Sequence, residues 1–262
     1  MIFGAINWDM NPEIFRIGNF AVRWYGLLFA SGFFFGYLIF LKIFKKEGLS
    51  VELLDKLTIY MALGTVIGAR LGHCLFYEPE YYLSHPVEIL KIWRGGLASH
   101  GAGIGILIAL WLFVRKHKKP FSWVIDRIVV VVALAGACIR LGNLMNSEIY
   151  GVETTLSWGF VFIRNLEVVP KHPTQIYEAL SYLLIFLLLG WIYIKTDGKP
   201  RPGTLFGIFL VLVFGMRFLI EFIKEDQVAF ESGMSLNMGQ WLSIPFVLAG
   251  VVLLVWSRRR TA

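Results

Sequence analysis

Residues 140–151 read RLGNLMNSEIYG and set an arginine, two asparagines and a carboxylate at the end of an apolar run. A guanidinium presents a rigid fork of donors that matches a carboxylate or a phosphate, and amides beside it fix its direction. Arg140 has no acid at helical spacing before it, while Asn143, Ser147 and Gly151 fall on one helical stripe with Glu148 near its edge. Arg217 and Glu221 lie four residues apart inside another apolar run, where they can pair along one helix. A third stretch, RGGLASHGAGIG at 94–105, places His100 and Gly101 at a glycine-rich helix start. Free N–H groups and the positive dipole end suit phosphate there, although such a start by itself more often serves close packing.

Each of these residues also has a plainer explanation. Arg140 can snorkel to headgroups. Arg217 and Glu221 can form a structural ion pair. Tyr25, in AVRWYG, sits where an aromatic commonly anchors a helix at the interface. Arg70 and His73 can simply support the fold, and His172 and Gln175 in KHPTQIYEAL can cap a helix and touch headgroups. Against the plain readings stands cost. An isolated arginine at mid-membrane costs roughly 2.5–3.5 kcal/mol on insertion scales, so such residues face a partner or a polar cavity.

The chain of 262 residues is 57% hydrophobic and only 16% charged, so a bilayer is its natural solvent. The net charge of +7 then marks cytoplasmic flanks rather than a nucleic-acid surface. Cys74 and Cys138 both lie in apolar runs, too few for a disulfide framework or a metal site. No two histidines have ligand spacing and no nucleotide-binding loop is present, which predicts neither metal nor cofactor.

Seven apolar segments predict membrane spans, at about 18–41, 57–76, 97–114, 124–146, 174–194, 204–223 and 237–256 of one polytopic domain over 1–262. No small-residue cleavage site follows the first, which predicts a retained helix. Basic clusters follow the first, third, fifth and seventh: KIFKK (42–46), RKHKK (115–119), Lys195 with Lys199 and Arg201, and RRR (258–260). The positive-inside rule puts the N-terminus outside and the C-terminus in the cytoplasm. Two external segments, 77–96 and 147–173, are long and rich in aromatic and turn residues, as in arms near a membrane surface. Gly32–Gly36, Gly64–Gly68 and Gly68–Gly72 allow close helix approach. Most of the polar residues gather toward the external ends of their spans. They predict an outward-facing intramembrane cavity in which arginines grip a phospholipid headgroup.

RLGNLMNSEIYG resembles the signature of prolipoprotein diacylglyceryl transferases, G-R-x-G-N-F-x-N-x-E-x-x-G, through Arg140, Gly142, Asn143, Asn146, Glu148 and Gly151. RWYG (23–26), the His-Gly loop at 100–101, HPTQIYE (172–178) and RFLIEF (217–222) extend the likeness over nearly the whole chain. The departures are Ile139 for glycine, Leu144 for phenylalanine, HGAG for His-Gly-Gly, and EFIKEDQ (221–227) where the family continues with arginine and Pro-Asp. The resemblance implies a seven-helix bacterial inner-membrane enzyme, its active site on the external side. It moves the diacylglyceryl group of phosphatidylglycerol onto the lipobox cysteine of a preprolipoprotein signal peptide, making a thioether and releasing glycerol phosphate. It implies His100 as base, Arg140 and Arg217 (held by Glu221) on the phosphate, and Tyr25 positioning lipid near His100. Asn143, Asn146, Glu148, Gly151 and Gly101 are implied in substrate binding, with lipid phosphate as the counter-ion of Arg140.

The rival readings are an anion transporter or channel, a seven-helix receptor or structural protein, and another headgroup transferase. A transporter requires polar residues through the full depth of several helices, but the spans at 97–114 and 237–256 are nearly free of charge inside.

Overall fold

Apolar runs bounded by turn residues become helices throughout. The computed structural model describes residues 4–18, 20–92, 95–226 and 233–259. In chain order the elements are β1 (Ile6–Trp8), β2 (Glu13–Ile17), β3 (Phe20–Arg23), α1 (Trp24–Lys46), α2 (Val51–Phe76), α3 (Pro79–Ser84), α4 (Ser99–His117), α5 (Phe121–Met145), β4 (Phe160–Phe162), α6 (Thr174–Lys195), α7 (Thr204–Ile220) and α8 (Met238–Arg259). Six helices among the described residues are long and apolar enough to cross a bilayer: α1, α2, α5, α6, α7 with its 3-10 extension to Ile223, and α8. The chain is therefore a mostly helical membrane protein. The expected third span exists as the 19-residue α4, but it is not one of the six. Glycines and His100 at its start, and Arg115, Lys116 and His117 at its end, dilute its apolar middle.

The expected first span, 18–41, begins too early. β2 and β3 instead pair antiparallel there, with Gly18 at φ +58° after β2, and α1 starts at Trp24. The apolar residues 20–22 are strand because the left-handed turn reverses the chain just before them. Strands β1 and β4 pair in parallel, Ile6 with Phe160 and Trp8 with Phe162, a second departure from an all-helical reading.

Contacts divide the chain into two compact units, Met1–Ile39 with Asp126–Ala262, and Phe40–Ile125. In the second unit α2 and α4 pack backbone to backbone. A Cβ on Gly68 would overlap the Gly101 carbonyl, and one on Gly105 would overlap that of Gly64. Small residues let dispersion act at this range, which is what holds helices together in lipid. Beyond α2, backbone carbonyls from residues 88–89 and 95–96 close around Arg70. Its Nε donates to Ile89 O (2.8 Å), Nη1 to Gly95 O (2.7 Å) and Gly96 O (3.2 Å), and Nη2 to Glu88 O (2.6 Å). Its guanidinium carbon also lies 4.9 Å from the centre of the Tyr82 ring. Arg70 supports the fold.

In the first unit, α7 follows the left-handed Gly203 (φ +82°) and borrows its cap from another helix. The buried Asp126 of α5 accepts from Gly203 N (2.7 Å) and Phe206 N (2.8 Å), satisfying N–H groups that a helix start leaves open. Beside the end of α5, Leu144, Phe160 and Phe162 form a small core covered by Trp8, Tyr150 and Ile176. The Trp8 indole donates to Leu144 O at 3.0 Å, tying β1 to the end of α5.

Candidate active site

The site is built at the end of α5. The helix stops at Met145 and Ser147 turns left-handed, φ +54°. Ser147 N then donates to Leu144 O (2.9 Å) and Glu148 N to Asn143 O (3.1 Å), the paired closure of a Schellman motif. The expected stripe through Ser147 and Gly151 is therefore not helical. The turn folds Glu148 back over the last helical residues instead. Its Oε1 accepts from Asn143 Nδ2 (2.7 Å) and Asn146 Nδ2 (3.2 Å), while Asn143 Oδ1 accepts from Arg140 Nη1 (3.2 Å). Ile149 is also left-handed at φ +62°, a conformation that costs a β-branched residue about 1–3 kcal/mol. The start of α6 compensates: Thr174 Oγ1 donates to Ile149 O (2.9 Å) and Gln175 Nε2 to Glu148 O (2.7 Å).

The counter-ions differ from expectation. Arg140 faces a protein carboxylate, with its Nε 2.9 Å from Glu178 Oε2 on α6. The pair is close yet not aligned for a hydrogen bond, since Glu178 Oε2 accepts none. Nor does Arg217 pair with Glu221. Lys224 takes that carboxylate, its Nζ 3.1 Å from Glu221 Oε2 and 3.1 Å from Glu178 Oε1. The physical reason is the 3-10 turn over Glu221–Ile223, after which Lys224 is extended and returns toward the same carboxylate. Gly239 at the start of α8 makes the room, because a Cβ there would overlap the Glu221 carboxylate.

Among the described residues Arg217 has no hydrogen bond or ion pair, and its Nε is buried without a partner. It lines a small open hollow with Glu178, Ser181, Tyr182, Ile185, Val213, Met216 and Ile220. Glu178 thus touches Arg140 on one side and shares the hollow with Arg217 on the other. Tyr25 lies against the same helix end, where a Cβ on Gly142 would come 2.9 Å from its ring. Gly151 lets the backbone at Ile223 pass close by, since a Cβ would overlap that carbonyl.

So Arg140, Asn143, Asn146, Glu148, Tyr25 and Gly151, with Arg217 and Glu221, belong to the first unit. Glu178 and Lys224 join them and were missed as site residues. An acid with no cation at helical spacing inside an apolar helix, as Glu178 is, was the available signal. His100 and Gly101 belong to the other unit, where His100 is exposed on the first turn of α4 and Gly101 packs against the Gly68 carbonyl. Arg94 and Gln227 lie outside the described residues.

A guanidinium with no hydrogen-bond partner among the described residues thus lines a hollow whose other walls are four apolar side chains, Ser181, Tyr182 and the Glu178 carboxylate. A sequence profile of the prolipoprotein diacylglyceryl transferases matches residues 12–256. The chain belongs to this family. Proteins named phosphatidylglycerol–prolipoprotein diacylglyceryl transferase resemble it along nearly their whole length. The one from Tolumonas auensis is 54% identical across 97% of this chain and 98% of its own. That from Chloroherpeton thalassium is 47% identical across 96% and 94%. That from Bacteroides fragilis is 45% identical across 94% and 93%. In this member of the transferase family, residues 140–151 form a helix end whose amides and carboxylate fix the direction of one arginine.

Proposed function

We propose that this membrane protein transfers the diacylglyceryl group of phosphatidylglycerol to the lipobox cysteine thiol of preprolipoproteins. Sulfur attacks the glycerol carbon that carries the phosphate ester. The carbon–oxygen bond breaks, and glycerol phosphate leaves with the bonding electrons while the thiol proton passes to a base. The observation that carries the reading is Arg217, unpaired among the described residues and lining a partly apolar hollow beside the helix-end cluster. A free guanidinium stabilises the charge gathering on the leaving phosphate. Arg140, steadied by Asn143 and Glu178, is the second cation for that anion.

A cysteine thiol is mostly protonated at neutral pH, so a base is needed. His100 fills that role by the family likeness and by its chemistry. Tyr25 would position the lipid, and Asn143, Asn146, Glu148, Gly151, Glu221 and Gly101 would shape its site. The same reading takes α4 as a seventh span of one polytopic domain. The N-terminus is outside, the C-terminus cytoplasmic, and the site opens on the external face of the bacterial inner membrane. Support comes from the basic last turns of α1, α4, α6 and α8, at Lys45, Arg115, Lys195 and Arg258.

Purified protein mixed with phosphatidylglycerol and a lipobox peptide should yield a diacylglyceryl adduct on cysteine by mass spectrometry, lost when the peptide carries serine. Absence of any adduct would overturn the assignment. His100→Gln with normal turnover would overturn the base.

A further inference from the structure

Arg217 and Glu221 are four residues apart, and in a low-dielectric setting such a pair attracts strongly. If it formed, the phosphate would have to compete with a tethered carboxylate for Arg217. In the structure Glu221 is already engaged. The Lys224 ammonium stands 3.1 Å from both Glu221 and Glu178, and all three side chains are 3–4% exposed. With Arg140 on the other oxygen of Glu178, the charges alternate as Arg140, Glu178, Lys224, Glu221. Buried this deeply, Lys224 is not a ligand for lipid. Its donors have two carboxylates to satisfy, and a lysine serves that as a point charge without the fork of an arginine.

We propose that Lys224 is a positioning residue: by holding Glu221 and Glu178 it keeps Arg217 free for the lipid phosphate. The proposal rests on the assignment of Arg217 made above. The seating of Lys224 depends on the end of the 140–151 signature. Val152 N donates to Ile223 O (3.0 Å) and Glu225 N to Tyr150 O (3.3 Å), and Gly151 permits this approach because a Cβ would overlap the Ile223 carbonyl. Gly151 therefore acts on Arg217 through Lys224, at one remove.

The test uses full-length protein in phosphatidylglycerol-containing micelles and reads KM and kcat for adduct formation. Lys224→Met should raise KM for phosphatidylglycerol about tenfold or more with a smaller change in kcat, as Glu221 turns to Arg217. Lys224→Arg should keep KM near wild type. Adding Glu221→Gln to Lys224→Met should recover most of the loss, a rescue that a purely structural lysine would not allow. An unchanged KM in Lys224→Met, or no recovery in the double variant, overturns the proposal. If Lys224→Met does not accumulate, Lys224→Gln/Glu178→Gln is compared with the same protein carrying Glu221→Gln, and equal KM values overturn it. Arg217→Ala with wild-type turnover would instead remove the underlying assignment.

Discussion

Arg70 on α2 and Arg217 on α7 are both arginines within apolar helices, and they are satisfied in opposite ways. Arg70 is buried, with four carbonyl oxygens and an aromatic ring around its guanidinium. Arg217 has a buried Nε with no acceptor and an open hollow beside it. A charge inside a membrane protein therefore does not by itself mark a site. The mark is an unfilled set of donors. Arg70 spends its donors on backbone carbonyls of the segment that follows α2, whereas Arg217 finds no acceptor among the described residues.

Breaking the comparison at its functional end should give the largest effect on turnover. Arg217→Ala is expected to lower kcat/KM at least about 100-fold, equivalent to about 2.7 kcal/mol of transition-state stabilisation, with little change in detergent melting temperature. At the structural end, Arg70→Met should leave four carbonyl groups without their donors and cost about 3 kcal/mol or more of stability. Thermal unfolding in micelles reads this, and a variant that melted normally would make Arg70 no different from Arg217.

Gly101→Ala sharpens the same contrast, since it forces α2 and α4 apart without touching a charge. Its expected cost is about 1–3 kcal/mol in the same assay. The smallest effect concerns His172, just outside α6, whose ring nitrogen Nδ1 lies 3.2 Å from the Tyr177 hydroxyl. Burial holds its pKa below the ordinary 6.5. The neutral ring is the folded form, so its stabilising contribution is complete above pH 6.5 and is lost as pH falls through the depressed value. Melting temperature from pH 8 to pH 5 should fall less steeply in His172→Gln than in wild type. Equal slopes would mean that another group titrates.

Much of this was legible in the residues. The apolar runs and the grouping of Arg140 with Asn143 and Glu148 follow from local spacing, because a helix of known pitch sets which neighbours meet. The hairpin over 13–23 was not legible, since one left-handed glycine at position 18 outweighed the apolar pattern beyond it. Glu178 and Lys224 escaped for another reason. Their partners lie on different segments, Arg140 being 38 positions from Glu178 (178 − 140) and Lys224 another 46 beyond. The Arg217–Glu221 expectation failed because spacing counts only candidates on one helix, while a turn later in the chain brought a competing cation.

Composition and pattern alone established that this chain lives in a bilayer and that its arginines need counter-charges there, since hydrocarbon solvates neither ions nor open peptide groups. Which carboxylate meets which cation was settled by packing. Pairing energies in a dry interior depend on distances of a few ångströms between segments far apart in the chain, and those distances exist only once the helices have come together.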